Sequence, residues 1–456
     1  MASPETDIPR APPLSSLAIP NRPPRNSILQ TILFTLYFNT AIILIHTAQV
    51  IVQPFRALPA ARDAVSWVNG RAKGGFCKGL VSMTWIFSPT NLVLSFRDEK
   101  GNQLDPSQFV EFRSDGRVSR VKLPHRAIWL SNHQVYTDWL YLWIVAYFCG
   151  FEEGVYIILK DSLKWAPMIG LSMQWFDFIF LARDWLRDRV TFADKLSKLA
   201  RISRAKSDPL TYIIFPEGTL VSKDTRPKSK KYADSVGIPD FVNTIVPKTR
   251  GTLYSLRTLK KEVADLKVVD ATIGYPGIPP AGYGQSYYTL RSIYMQGVPP
   301  PSVHISITIR SVESSSPDLG PEEAAQQTAS VPIGDMKRVA QTSSPEDIEA
   351  TEDEKKAFDA WTLARWREKD DLLSQFYRDG DFVGGAFVRN KEVAGEYYRE
   401  SEDETTGGGP GVKTENEAEY VTIPIALRSP IEVADVFAWG FPLWFGWLLW
   451  WWLNRF

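Results

Sequence analysis

Two short segments hold side chains whose types and spacing could do chemistry. In Asn132-His133-Gln134-Val135-Tyr136-Thr137-Asp138 an imidazole precedes a carboxylate, directly after the β-rich run Ala127–Ser131. If a helix begins just after His133, Asp138 lies about one turn further along and its carboxylate can reach the ring. From there it fixes the imidazole tautomer and stabilises the imidazolium that forms on proton uptake. Histidine with an orienting carboxylate is the minimum for general-base activation of an alcohol. The second segment, Phe215-Pro216-Glu217-Gly218-Thr219, closes another β-rich run, Tyr212–Phe215. It brings a carboxylate and backbone N–H groups to a strand end. Taken singly, each has a bland reading: a loop histidine bonded to backbone, or a turn carrying a solvated glutamate. Ligands of open α/β sheets sit beyond the carboxyl ends of strands, where both segments would emerge.

The elements that must position them alternate along the chain. Strands are expected at Asn91–Phe96, Ala127–Ser131, Val155–Leu159, Phe176–Leu181, Tyr212–Phe215, Asn243–Val246, Val268–Tyr275 and Val303–Arg310. Helical runs fall near Tyr136–Cys149, Ser162–Gln174, Trp185–Ala205 and Thr252–Leu266. Strands alternating with helices predict an α/β fold with a mostly parallel sheet flanked by helices, over residues 89–310.

Either side of that domain the composition shifts. Residues 1–25, rich in Pro and Ser, read as a disordered arm. Within 26–88, Ile28 to Val52 is apolar over the ~20 residues a membrane helix needs and is too long for a signal-peptide core. Arg22 and Arg25 precede it and Arg56, Arg62, Arg71 and Lys73 follow, so flanking charge gives no orientation. A single span and a helix pair returning through Gly79–Phe87 both fit. Residues 311–355 read as a disordered acidic insertion, with eleven acidic against two basic residues from 311 to 354. Order is expected to resume in a helical part, 356–400, followed by a linker, 401–430. The closing segment, 431–456, has six of the 16 tryptophans in its last 18 residues. It reads as a membrane segment, either a short span or an interfacial stretch with indoles at headgroup level.

Composition narrows the function. Lys+Arg and Asp+Glu both number 52, which removes the global basic footprint of a duplex-binding protein, and no nucleic-acid partner is expected. Cys77 and Cys149 are too few for a disulfide scaffold or a cysteine zinc cluster. With four histidines in all, no metal site is expected. A Gly-x-Ser-x-Gly elbow is absent, so no acyl-enzyme nucleophile stands out.

Together the two motifs resemble the glycerolipid acyltransferases, the 1-acylglycerol-3-phosphate acyltransferases and their lysophospholipid-acylating relatives. Asn132–Asp138 matches the family's Asn-His-x4-Asp block, and Phe215–Thr219 matches its Phe-Pro-Glu-Gly-Thr block without substitution. Phe178–Arg183 is similar to the intermediate block, an apolar strand ending in Arg, and Ile245-Val246-Pro247 to a fourth. Val246–Gly251 and Trp361–Phe376 further resemble the eukaryotic branch that includes lysocardiolipin and lysophosphatidylinositol acyltransferases.

The resemblance implies an enzyme that carries an acyl chain from acyl-CoA, a co-substrate, to the sn-2 hydroxyl of a lysophospholipid, with no cofactor. Lysophosphatidic acid is the typical acceptor; remodelling of lysophosphatidylinositol or lysocardiolipin is the alternative, and a non-catalytic membrane adaptor the rival from another class. Carried over, His133 is the base and Asp138 orients it. Arg183, Glu217, Gly218 and Thr219 hold the acceptor's phosphate and glycerol region, with Glu217 expected to position Arg183 or a glycerol hydroxyl. Lys223, Arg226, Lys228, Lys230 and Lys231 form either a solvated face or an attractor for CoA phosphates and anionic headgroups. The expected setting is the endoplasmic reticulum membrane with the site facing the cytosol. Oligomeric state is left open.

Overall fold

The computed structural model describes residues 12–167, 169–182, 185–313, 330–340, 348–388, 419–438, 450, 451 and 453. Helix α1 (Ile28–Val52) and helix α2 (Arg62–Phe87) form an antiparallel pair. Gln49 beside Asn69 closes the turn end, and Phe34 against Phe87 closes the other. The α1 segment, extended to Ala57, is long and apolar enough to cross a membrane, with a mean hydropathy of 1.9. Ile28, Leu29, Ile32, Leu33 and Leu36 are exposed along it. Helix α2 differs: Ala72, Cys77, Leu80, Val81 and Met83 are buried in the main core, so it joins α1 to the sheet.

The sheet is built from β1 (Asn91–Arg97), β5 (Arg126–Ser131), β6 (Val155–Lys160), β7 (Ile179–Leu181), β8 (Leu210–Ile214), β9 (Lys267–Gly274) and β10 (Ser302–Glu313). The short β2 (Gln103–Leu104) pairs with β1, while β3 (Val110–Phe112) and β4 (Val118–Val121) make a separate hairpin. Strands β11 (Ser330–Pro332) and β12 (Val421–Pro424) complete an order of β12-β1-β10-β9-β5-β8-β6-β7, with β11 beside β10. From β9 to β7 all neighbours run parallel, and β10 against β9 is antiparallel. Ala127 to Leu130 of β5 and all of β8 are buried on both faces, as a central parallel strand requires.

Helices cover both faces. One carries α2 and α3 (Asp138–Cys149), where Trp129, Val269 and Ile273 belong to the main core. The other carries α5 (Trp185–Lys206), α7 (Arg250–Glu262) and α9 (Glu352–Asp379), where Ile128, Leu130 and Val268 meet Leu256 and Trp361. The shorter α4 (Ile169–Trp175), α6 (Arg226–Val236), α8 (Met336–Ala340) and α10 (Ala434–Phe437) fill the periphery. Helix α9 starts with a capping box, Thr351 with Glu354, and stops at Gly380, whose φ of 83° favours glycine at that terminus.

Four expectations from composition and pattern are corrected. Asn243–Val246 is not a strand, because the Asp370 carboxylate takes the N–H groups of Val242, Asn243 and Thr244 that a ladder would need. Within the acidic insertion, Val331, Ile333, Val339 and Ile348 are buried, and fully buried Arg257 donates to the carbonyls of Ile333 and Ile348. Part of the expected disordered arm is ordered: Arg22 donates to Tyr287 O and Tyr288 to Ser15 O. The expected linker supplies β12, which pairs with β1. Of the Trp-rich terminus, residues 439–449, 452 and 454–456 lie outside the described residues, while Trp450 and Leu453 are exposed.

Candidate active site

Strand β5 ends at Ser131, and the next residue prolongs its pairing by side chain alone. Asn132 donates to Ile273 O at 3.0 Å and accepts from Ile273 N at 2.8 Å, mimicking a peptide group against β9. This turns the main chain out of the sheet and releases His133 at its edge. The imidazole stacks on Phe215 with centroids 4.3 Å apart and keeps a 19% exposed side chain. His133 Nδ1 lies 2.7 Å from Asp138 Oδ2. With the Nδ1 proton donated to that carboxylate, Nε2 carries the lone pair.

Asp138 is fully buried in the first turn of α3, where the helix dipole favours negative charge. Its Oδ2 also accepts from Gln134 N at 2.6 Å and Val135 N at 3.1 Å, and its Oδ1 from Tyr275 OH at 2.5 Å. One carboxylate thus shapes the loop and orients the ring. Burial, and then the neighbouring Asp138 charge, hold the Tyr275 phenol well above its usual range, so it stays a donor.

Strand β8 lies beside β5, and its carboxyl end delivers the second motif to the same edge. Gly218, at a φ of 69°, closes the turn back on Phe215 O at 2.9 Å. Glu217 is 1% exposed; its Oε1 accepts from His133 N and from Trp366 Nε1 of α9, both at 3.3 Å. Burial pushes its carboxyl well above the ordinary value of 4.5, favouring the protonated form. Thr219 is half-buried beside it. Just after the fourth block, Lys248 N donates to Pro216 O at 2.7 Å, and its side chain runs along Gly218.

His133, Asp138, Glu217 and Gly218 are therefore brought together. Arg183 lies outside the described residues; the strand before it, β7, ends two positions from β8 in the sheet. Three partners lie outside the two motifs: Tyr275, which follows β9, and Trp366 and Asp370 of α9, whose contacts with the site and its flanking loop no local spacing signals. A histidine backed by a buried carboxylate, open at Nε2, can take a proton from a hydroxyl.

Comparison with known proteins decides the family. A family model described as Acyltransferase matches residues 113–273. The chain is 31% identical to a 2-acyl-1-lysophosphatidylinositol acyltransferase of Saccharomyces cerevisiae, covering 60% of this chain and 67% of that one. It is 30% identical to an uncharacterized acyltransferase of Schizosaccharomyces pombe, covering 66% and 73%. The chain belongs to the acyltransferase family. It is also 28% identical to lysocardiolipin acyltransferase 1 of Danio rerio, over 55% of this chain and 53% of that one. The family-model match runs from before β5 to Ile273 in β9, so this acyltransferase carries both strand-end motifs inside the matched region.

Proposed function

We propose that this acyltransferase transfers a fatty acyl chain from acyl-CoA to the sn-2 hydroxyl of a lysophospholipid, with lysophosphatidic acid as the typical acceptor. The observation that carries this reading is the 2.7 Å His133–Asp138 pair at a sheet edge, with Nε2 open. In the proposed reaction Nε2 takes the proton of the acceptor hydroxyl while its oxygen bonds to the thioester carbonyl carbon. Collapse of the tetrahedral adduct breaks the carbon–sulfur bond, and the imidazolium returns the proton to the departing thiolate. Asp138 stabilises the charge that the ring carries between these steps. No residue becomes acylated.

The acceptor's phosphate is assigned to Arg183, and its glycerol region to the turn Glu217-Gly218-Thr219. Glu217, buried and bonded to His133 N, acts by holding the two motifs together rather than by meeting the phosphate. Lys223, Lys228 and Lys231 are exposed after that turn and draw in CoA phosphates; Arg226 and Lys230 pair with Asp240 and Asp234. A second reading, remodelling of lysophosphatidylinositol or lysocardiolipin, is favoured by the names of the yeast and zebrafish relatives. The protein would sit in the endoplasmic reticulum membrane through α1 and the Trp-rich terminus, its site facing cytosolic acyl-CoA. Purified protein given a panel of lysolipids with labelled acyl-CoA tests this; labelled diacyl product from none of them rejects the proposal.

A further inference from the structure

The sheet face beneath α9 changes character along its length. Phe358 and Trp361, in the first part of the helix, belong to the apolar cluster with Ile128 and Leu130. Further on, β9 and β10 present Asp270, Thr272, Ser306 and Thr308, while the intervening Val269, Ala271 and Ile273 pack into the opposite core. Between these residues and α9 lies a cavity of ≈ 260 Å³. Its lining shares no residue with the His133, Asp138 and Glu217 cluster.

The charges around the cavity do not cancel. Asp270 is taken by Arg310 Nε, 3.0 Å away, and by Lys369. Glu368 is shared between Arg365 Nη1 at 2.8 Å and Arg310 Nη2 at 3.4 Å. Asp98 accepts from Lys100 N, Asn102 N and Asn102 Nδ2, so its two oxygens serve its own turn. Asp371, the remaining carboxylate of the lining, is exposed.

Two guanidinium groups are left under-used. Among the described residues Arg97 is held by the carbonyls of Gly101 and Phe382, and its Nε finds no partner there. Arg365 is 3% exposed, and its Nε likewise has no partner among the described residues; the contact of Nη1 with Glu368 is an ion pair without hydrogen-bond geometry. A buried guanidinium N–H without an acceptor is costly, and both side chains line the cavity. Lys100 stands exposed at the same opening.

We propose that this cavity is a second anion site, taking a phosphate-bearing ligand between Arg97 and Arg365. Guanidinium forks match phosphate oxygens bidentately, and a phosphate has oxygens enough to engage the hydroxyls of Thr272, Ser306 and Thr308 as well. The site stands whether or not the acyl-transfer reading holds. Phosphate of this kind has two sources: free phosphate groups of small metabolites, and the adenosine 3′,5′-bisphosphate end of CoA.

The test is calorimetric titration of the full-length, detergent-solubilised protein with inorganic phosphate and, separately, with adenosine 3′,5′-bisphosphate. Wild type binds at least one probe, and Arg365→Gln and Arg97→Gln each weaken it about tenfold or more, the loss of a charge-assisted hydrogen bond. His133→Ala binds as wild type does. Binding of the bisphosphate without inorganic phosphate, lost in both arginine variants, supports the site and names CoA as the source. Absence of binding by both probes at millimolar concentration overturns the proposal. So does affinity unchanged in both arginine variants, or affinity lost in His133→Ala, which would put the anion at the catalytic edge. If a melting curve shows Arg365→Gln unfolded, the half-buried Arg97→Gln decides alone.

Discussion

Glu217 Oε1 accepts the backbone N–H of His133 at 3.3 Å, so the carboxyl of one strand-end turn fastens the loop that carries the other turn's imidazole. Trp366 Nε1 donates to the same oxygen, which ties both turns to α9, some 150 residues further along the chain. The site is a junction of three segments held by one buried carboxyl.

His133→Ala should lower transfer by ~10²–10⁴-fold, the usual contribution of a general base, while the protein melts as wild type does. Initial rates with saturating acyl-CoA check it. Retention of half the wild-type rate would remove His133 from the reaction.

Asp138→Asn should cost activity more than stability. The amide can still accept from Gln134 N and Val135 N, but it cannot stabilise an imidazolium. Tyr275→Phe removes only the donor to Oδ1 and should be the milder change. Wild-type rates for Asp138→Asn across pH 6–8, where histidine titrates, would contradict the dyad.

Glu217 should make stability depend on pH in the opposite sense to a salt-bridged carboxylate. Its folded carboxyl binds protons more tightly than the unfolded one, so its contribution is full below the ordinary value of 4.5 and declines as pH rises toward the raised folded value. Glu217→Gln keeps an acceptor for His133 N and Trp366 Nε1 without titrating. Melting temperatures from pH 5 to pH 8 should therefore fall less in the variant; a parallel decline would show that Glu217 is not the group responsible.

Arg183→Lys should raise the acceptor KM, because the charge survives and the bidentate fork does not, while the acyl-CoA KM moves less. Arg183→Ala should go further in the same direction. Kinetics with each substrate varied in turn separate this from a structural role, in which both KM values and the melting temperature would shift together.

Deleting residues 330–350 should unfold the domain, although the composition reads as a disordered insertion. The deletion removes β11, buried Val331 and Ile333, and both carbonyls that receive Arg257. Ile333→Ala alone should cost ~2–5 kcal/mol, the range for truncating a buried aliphatic residue. Denaturant titration measures it, and a variant as stable as wild type would mean the segment is not core.

The sequence by itself carried the His133–Asp138 pair and the positions of the main strands along the chain. His133 and Asp138 are five residues apart and joined by one helical start, while β1, β5, β6, β8, β9 and β10 are apolar runs whose burial shows in composition. Such signals are local, and local spacing sets local geometry. Tertiary structure alone decided the rest. Asn243–Val246 has strand-like residues, yet Asp370 from a distant helix claims its N–H groups. The acidic insertion carries few apolar residues, but Arg257 and Glu354 fasten them in place. Glu217 reads as a solvated turn until Trp366 and His133 N converge on it. In each case the deciding partner lies far away in sequence, and a hydrogen bond between distant segments leaves no trace in the periodicity of either.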